Sequence, residues 1–227
     1  MPDGQDKERT MSNLSIAQAY MVCAANEKGK ISSFDTEGQV CLAAAGLMEL
    51  RGEGCIDFDG KEVRATAPLP EGRAYLRPLY ELIAEHSPVK LGKIVETYYA
   101  YPSRLNPLVD AVGQSLCEVG AIECVREGKL GGRNGYIPTH AAVRGEIDAL
   151  RAELLGGGEV SEKSAALTVL LKRAKCFKRY FSEFDRKEIK RRMRELADSP
   201  NGQMVREMAE HIDDLLMVAA ACFLLLN

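Results

Sequence analysis

The sequence predicts a mainly α fold: a single-domain helical bundle around a buried apolar C-terminal helix, with two short β-hairpins. Apolar residues recur at helical spacing in most segments. Aromatic residues make up only 6% of the 227 residues and tryptophan is absent, so aliphatic side chains that suit packed helices must form the core. No alternation of strands and helices typical of a parallel sheet appears. We expect a flexible tail over residues 1–13 and a helical domain over 14–227.

The first predicted elements are two helices and a hairpin. Apolar residues at helical spacing predict a helix over 14–26, with Asn13 as its N-cap, and a second helix over 38–50. Apolar and polar residues alternate over 54–65 around an Asp-Gly dipeptide. This pattern is typical of a β-hairpin with a tight turn.

Three helices are predicted in the middle of the chain. They cover 76–86, 90–99 and 108–119. Pro102 and Pro107 fall between the second and the third, where we expect a loop because proline interrupts helices.

A second hairpin and three more helices follow. The hairpin is predicted over 121–139 around a glycine-rich tip, and the next helices over 141–155 and 161–180. A further helix over 186–197 is predicted to begin after Asp185 as its cap, because a glutamate follows three residues later in a capping-box pattern.

The last predicted helix covers 203–226, polar at first and then wholly apolar. Its apolar run, 215–226, is shorter than the roughly 20 residues that a transmembrane helix needs. The run therefore predicts a buried core helix rather than a membrane anchor. Residues 1–12 lack the apolar stretch of a secretory signal.

The cysteines and histidines do not predict a metal or catalytic site. Of seven cysteines, five lie in apolar helical segments, where we expect buried thiols in a reducing cytosol: Cys23, Cys41, Cys117, Cys176 and Cys222. Cys117 and Cys124 have neither the second cysteine pair nor the histidines of a zinc site. No two of the three histidines share a metal-binding spacing, and no nucleophile motif occurs. We therefore expect no enzyme, no cofactor and no metal.

A dense group of cations marks segment 172–194, although the formal net charge of the chain is -3. The basic surface predicted there comprises Lys172, Arg173, Lys175, Lys178, Arg179, Lys187, Lys190 and Arg191. Such a surface attracts anionic lipid, by about 1 kcal/mol for each cation near a charged bilayer, and it also attracts nucleic-acid phosphates. Two solvated helix faces are the structural alternative, since cations are favoured near helix C-termini.

Two helix–hairpin pairs, 38–65 and 108–139, resemble the recognition helix and wing of a winged-helix DNA-binding regulator. This is the alternative function. Helix 38–50 carries only Gln39 as a basic or amide side chain before Arg51, which leaves little to contact base edges. The acidic net charge of the chain also provides no overall attraction to nucleic-acid phosphates, so we do not expect nucleic acid as a partner.

Seven short motifs, followed by the apolar final helix, occur in a specific order from Leu14 almost to the end of the chain. They are LSIAQAYMV at 14–22, EKGKISS at 27–33, GLMEL at 46–50, GCIDFD at 54–59, LCEVGAI at 116–122, AALTVLL at 165–171 and FDRKEI at 184–189. In this order they resemble the Golgi phosphoprotein 3 family. The chain looks like a prokaryotic-type member of that family.

The resemblance implies a fold and a function. It implies a mainly helical domain of a non-enzymatic, peripheral membrane protein that recognises phosphatidylinositol 4-phosphate, an anionic lipid. Eukaryotic members are adaptors that retain glycosyltransferases in the Golgi, so a protein tail is the implied client. The resemblance also implies a cytoplasmic location at the cytosolic face of a membrane, and a homo-oligomer formed through hairpin 121–139.

The resemblance also suggests where lipid would bind. The lipid-binding residues that we expect are Phe34, Arg51, Arg104, Leu130 and Arg133. Phe34 takes the position of the family's membrane-facing tryptophan, and Leu130 and Arg133 belong to the tip of the second hairpin. The family's headgroup-binding arginines align with Ala43, Asn106 and Val109. Arg51 and Arg104 lie near these positions in sequence and are the expected substitutes.

Overall fold

The computed structural model describes residues 14–25, 36–100, 102–126 and 134–198, with six further positions between 206 and 217. It confirms a mainly α fold with two small antiparallel sheets. The helices are α1 (Ile16–Ala24), α2 (Thr36–Gly52), α3 (Arg77–Glu85), α4 (Leu91–Ala100), α5 (Pro102–Glu118), α6 (His140–Leu155), α7 (Glu162–Arg173) and α8 (Glu183–Asp198). The strands are β1 (Ile56–Asp59), β2 (Glu62–Ala65), β3 (Val89–Lys90), β4 (Ile122–Arg126) and β5 (Asn134–Pro138).

Helix α1 lies at the centre of the described structure. Every residue from Ala17 to Ala24 except Gln18 is buried. The helix packs against α2, α5, α6 and α7. The central position had been predicted for helix 203–226, which lies for the most part outside the described residues. Among the described helices, none combines the length and the apolar character needed to span a bilayer.

The N-terminal end of α1 is capped by side chains from near and far in the sequence. Ser15 is the N-cap and forms a capping box with Gln18, in place of the predicted cap Asn13, which lies outside the described residues. The backbone N–H of Ala17 donates to Oε2 of Glu49 in α2 at 3.1 Å. A buried N–H group without a partner would cost about 1–3 kcal/mol, so this contact is needed.

The C-terminal end of α1 is capped by the segment that connects α7 and α8. The hydroxyl of Tyr180 donates to the carbonyl of Cys23 at 2.7 Å. The guanidinium of Arg179 donates to the carbonyls of Ala24 and Ala25, each at 3.3 Å. The last carbonyls of a helix have no partner within the helix, and here distant side chains satisfy them.

The first hairpin forms as predicted and gains a third strand. Strands β1 and β2 are antiparallel, with Phe58 opposite Val63, and β3 adds to β2 with Val89 opposite Val63. Gly60, with a φ of 60°, takes the first of the two loop positions between β1 and β2, as tight hairpin turns require.

The second hairpin also forms as predicted and packs on α5. Tyr136 of β5 lies opposite Cys124 of β4, and its hydroxyl donates to Oδ1 of Asp110 at 2.7 Å. A Cβ atom at Gly113 would lie 2.5 Å from the ring of Tyr136, so glycine is required for this close approach. The tip was predicted over 128–135. Residues 128–133 lie outside the described residues, whereas Asn134 and Gly135 belong to strand β5.

The predicted loop around Pro102 and Pro107 is wrong, because both prolines belong to α5. Proline suits the first helical position, where the N–H group has no acceptor within the helix. Pro107 withholds one backbone donor from the helix interior. Burial of Leu108, Val112 and Leu116 on the core side offsets that loss.

Helix α7 ends earlier than the predicted boundary at 180. The N–H of Cys176 donates to the carbonyl of Leu171 at 2.9 Å and that of Lys175 to the carbonyl of Lys172 at 3.2 Å, which together form a Schellman motif. Lys175 stands at the left-handed position, with a φ of 59°. Glycine usually takes this position, so a lysine gave no sign of the helix end in the sequence.

The predicted cap of α8 is displaced by one turn. The side chain of Ser182 accepts from the N–H of Asp185, and the carboxylate of Asp185 accepts from the N–H of Ser182, each at 3.1 Å. Asp185 is therefore the third residue of the helix and not its cap. Both residues belong to a reciprocal capping pair one turn before the predicted one.

The prediction of free thiols is wrong for Cys117. It forms a disulfide with Cys124, with the Cα atoms 6.1 Å apart, and this bond joins the end of α5 to β4. Four cysteines in the described residues are buried and form no disulfide: Cys23, Cys41, Cys55 and Cys176. Burial raises the pKa of the Cys23 thiol, which makes it a poor nucleophile.

Replacement of Lys175 by glycine is expected to stabilise the protein. An L-residue in the left-handed region costs about 1 kcal/mol, and glycine avoids this cost. Urea denaturation should show Lys175→Gly to be more stable than wild type by about 1 kcal/mol. Lys175→Ala is the matched control, because it removes the same side chain but keeps the strain. Equal stability of the two variants would contradict the prediction.

Candidate functional site

A groove with an apolar floor runs between α7, the segment that follows it, and α8. It encloses about 890 Å³. The floor is formed by the apolar side chains of Val169, Phe177, Ile189, Met193 and Ala197. Phe177 and Ile189 are buried, whereas the other three are partly exposed to the groove.

The groove is surrounded by positive charge. Eight cationic side chains and a single carboxylate, that of Glu210, line it among the described residues. The cations are Lys172, Arg173, Lys175, Lys178, Arg186, Lys190, Arg194 and Arg206. The predicted basic surface therefore coincides in part with an apolar groove, which the charge pattern alone did not indicate.

Half of these cations contact protein groups. Arg173 forms an ion pair with Asp213, Arg186 donates to the carbonyl of Phe181 at 3.0 Å, and Arg206 donates to the carbonyl of Ala197. Lys175 also has a partner.

The other four, which we call the free rim, have no ion-pair partner within the described part of the chain. They are Lys172, Lys178, Lys190 and Arg194. Their charge is available to an anionic ligand.

Three residues of the predicted basic surface lie away from the groove. Arg179 is bound to the C-terminal carbonyls of α1 and serves the fold. Lys187 pairs with Glu183 at 2.9 Å, and Arg191 forms ion pairs with Glu188 and Glu195. These pairs are exposed and follow the spacing of neighbouring turns, so they match the alternative of a solvated helix face.

The phase of α8 separates its two sets of cations. Arg186, Lys190 and Arg194 recur at intervals of four residues and share one face with Met193 and Ala197, whereas Lys187 and Arg191 lie one residue further round. The position of each cation around the helix, which can be read from the sequence, thus distinguishes the cations that line the groove from those that face away from it. Arg206 and the apolar floor were not recognised from the sequence.

The expected lipid-binding residues are only partly described. Phe34, Leu130 and Arg133 lie outside the described residues, and Arg104 is placed in α5 but its side chain is not described. Arg51 lies in the last turn of α2 and forms an ion pair of 2.7 Å with Glu207, while its guanidinium carbon lies 5.6 Å from the centre of the Phe58 ring. Its role in lipid binding stays a prediction.

The three positions that align with headgroup-binding arginines lie on two helices. Ala43 is buried in α2, whereas Asn106 and Val109 are half-buried in α5. None of them supplies a positive charge.

The described side chains of the two helices that precede the hairpins do not form a DNA-reading face. In α2, every residue from Val40 to Leu50 is buried, so no side of this segment faces a ligand. In α5, the exposed positions include Asp110, Gln114 and Glu118. Acidic side chains repel the phosphate backbone, and the winged-helix alternative therefore gains no support from these helices.

Two buried carboxylates lie outside the groove, and both have partners. Glu49 accepts from the Ala17 N–H and the Tyr75 hydroxyl, and it pairs with Arg73 at 3.2 Å. Burial, and then the adjacent Glu49, raise the pKa of Tyr75. This network joins α2 to α1 and to the turn before α3, so its role is structural.

No group of three metal-binding side chains occurs within the described ranges.

The second buried carboxylate, Glu146 of α6, pairs with Lys163 of α7 at 2.8 Å. Burial raises the pKa of Glu146 above its usual value of 4.5, and Lys163 opposes that shift. The folded chain therefore keeps a proton at Glu146 in a pH range where the unfolded chain has lost it. The free energy of unfolding consequently falls as the pH rises from 4.5 towards the raised pKa.

Comparison with known proteins gives one family match. The sequence model of a family described as Golgi phosphoprotein 3 (GPP34) matches residues 16–212. The match spans α1 to α8, including every described residue around the groove. No curated protein matches the sequence.

The substitution Glu146→Gln is expected to make stability less dependent on pH. The variant lacks the titrating carboxyl, so its free energy of unfolding should fall less than that of wild type as the pH rises above 4.5. Urea denaturation at several pH values measures the difference. Asp148→Asn, at an exposed position of the same helix, is the matched control and should keep the wild-type slope. The prediction fails if Glu146→Gln also keeps that slope.

Proposed function

Because this chain belongs to the Golgi phosphoprotein 3 family, we propose that it is a non-enzymatic peripheral membrane protein that binds anionic phospholipids, phosphatidylinositol 4-phosphate among them. The observation that supports this proposal most strongly is the free rim. Its four cations surround one groove and lack ion-pair partners in the described residues. A charged bilayer supplies the phosphates that such a surface attracts.

The energy available to the free rim suffices for reversible attachment. At about 1 kcal/mol for each cation, four cations contribute about 4 kcal/mol, or roughly a thousandfold in the partition constant. At physiological ionic strength, salt largely screens the attraction between exposed charges that lie more than about 8 Å apart. The attachment is therefore sensitive to salt.

The proposed recognition depends on charge more than on one headgroup. Ala43, Asn106 and Val109, at the positions of the family's headgroup-binding arginines, carry no charge. Vesicles with phosphatidylinositol 4-phosphate are therefore expected to bind about as well as vesicles with another anionic lipid at the same surface charge. A strong preference for the phosphoinositide would instead direct attention to Phe34 and Arg104.

The family's adaptor role extends this proposal. The protein would act at the cytosolic face of a membrane, with a protein tail as its client and hairpin 121–139 as the contact between copies. The strands of this hairpin pair only with each other in the described residues, which leaves edges to which a second copy can add.

Disulfides are rare in a reducing cytosol, so a location at the cytosolic face of a membrane exposes the Cys117–Cys124 bond to reduction.

Neutralisation of the free rim should weaken binding to anionic vesicles. The double variant Lys178→Gln and Lys190→Gln loses two attractions of about 1 kcal/mol each, which corresponds to a roughly thirtyfold lower partition constant. Co-sedimentation with phosphatidylglycerol-containing vesicles at low and physiological salt measures this loss.

Arg77→Gln with Lys93→Gln is the matched control, because it removes the same charge from α3 and α4. We expect this control to bind like wild type. An equal loss in both variants would mean that only net charge matters. Binding by neither wild type nor variants at low salt would refute the proposal.

A further inference from the structure

We propose that the groove between α7 and α8 binds individual molecules of an anionic phospholipid, with one acyl chain along the apolar floor and the phosphate among Lys178, Lys190 and Arg194. This inference rests on the proposed function, because the same cations would bind the phosphate. It goes further, because the bound lipid molecule is withdrawn from the bilayer into the groove.

The floor of the groove suits a hydrocarbon chain. Val169, Met193 and Ala197 remain partly exposed beside the buried Phe177 and Ile189. Covering apolar surface with an acyl chain is favourable, and each buried methylene strengthens binding roughly fourfold.

The polar side chain at the floor is already satisfied. The Thr168 hydroxyl donates to the carbonyl of Ser164, four residues earlier in α7, at 2.7 Å. Among the described residues that line the groove, a polar ligand would find no free hydroxyl donor. The floor therefore favours an apolar chain over a sugar or a nucleotide base.

The size of the groove also suits a small ligand. Its volume of about 890 Å³ falls within the range of roughly 300–1,000 Å³ that is typical of small-molecule sites. The ligand that we infer thus combines a chain for the floor with a charged headgroup for the rim.

The cations of the rim are not explained by helix stability alone. Lys172 lies in the last turn of α7, where a positive charge interacts favourably with the helix dipole. Lys190 and Arg194 lie at least four residues before the end of α8, so the dipole accounts for them less well. Their charges face the apolar floor together with Lys178, which is the arrangement that an anionic amphiphile requires.

Monomeric lysophospholipids test the inference without a bilayer. Isothermal titration below the critical micelle concentration should show binding of dodecanoyl lysophosphatidylglycerol, with a dissociation constant roughly tenfold lower than that of the decanoyl compound. Glycerol 3-phosphate, which lacks the chain, and lysophosphatidylcholine, which lacks the net charge, should each bind at least tenfold more weakly.

The substitution Ala197→Phe fills the groove without a change in charge. It should weaken lysophosphatidylglycerol binding at least tenfold but leave salt-sensitive vesicle binding in place. Ala84→Phe, at an exposed position of α3, is the matched control and should bind like wild type. Thermal unfolding of both variants verifies that they are folded. If Ala197→Phe is unfolded, Met193→Gln takes its place with the same expected loss.

The outcomes separate the inference from the proposed function. Vesicle binding without lysophospholipid binding would overturn the inference and leave the proposed function standing. Lysophospholipid binding that is insensitive to chain length, or unaffected in Ala197→Phe, would also overturn it. Chain-dependent binding without vesicle binding would support the groove as a lipid site and refute the peripheral membrane role.

Discussion

The backbone of α1 imposes the constraint on which the rest of the structure depends. A helix that is buried at both ends carries N–H and C=O groups that water cannot reach, and each needs a partner from the protein. Glu49 supplies one at the N-terminal end, and Arg179 and Tyr180 supply partners at the C-terminal end. Burial raises the pKa of Tyr180 from 10 to about 12, which extends the pH range over which its hydroxyl can donate further into alkaline solution.

The same constraint shapes the groove. For Arg179 and Tyr180 to reach α1, the chain must turn sharply after α7, and the left-handed Lys175 makes that turn. Helix α8 then packs against α6, and Phe177 of the connecting segment and Ile189 of α8 both contribute to the groove floor. The end of α1 and the candidate lipid site are thus two sides of one connecting segment. A cation in this segment therefore has a structural or a binding role according to the side that it faces.

Sequence reasoning identified helices and hairpins well because apolar periodicity reflects which face of an element is buried. It failed where position within an element mattered more than composition. Pro107 suggested a loop but lies in a helix whose buried face outweighs the lost donor. Lys175 concealed a helix end because a left-handed lysine has no sequence signature. At the candidate site, charge density located the segment, and helical spacing indicates the local partners of Arg191. The partner of Arg179, the C-terminal end of α1, could be known only from the fold.

The capping of α1 has a consequence for synthesis of the chain. The carbonyl of Cys23 is satisfied by Tyr180, which lies 157 residues later in the sequence. At roughly 5–20 residues per second, the ribosome takes about 8–30 s to make the intervening chain. During that interval the C-terminal carbonyls of α1 lack their final partners, and its apolar surface is covered only in stages as α2, α5, α6 and α7 are made. The contacts of Arg179 and Tyr180 with α1 can form only after these residues have been made. Until that point the nascent chain is a natural client for chaperones that protect exposed apolar segments.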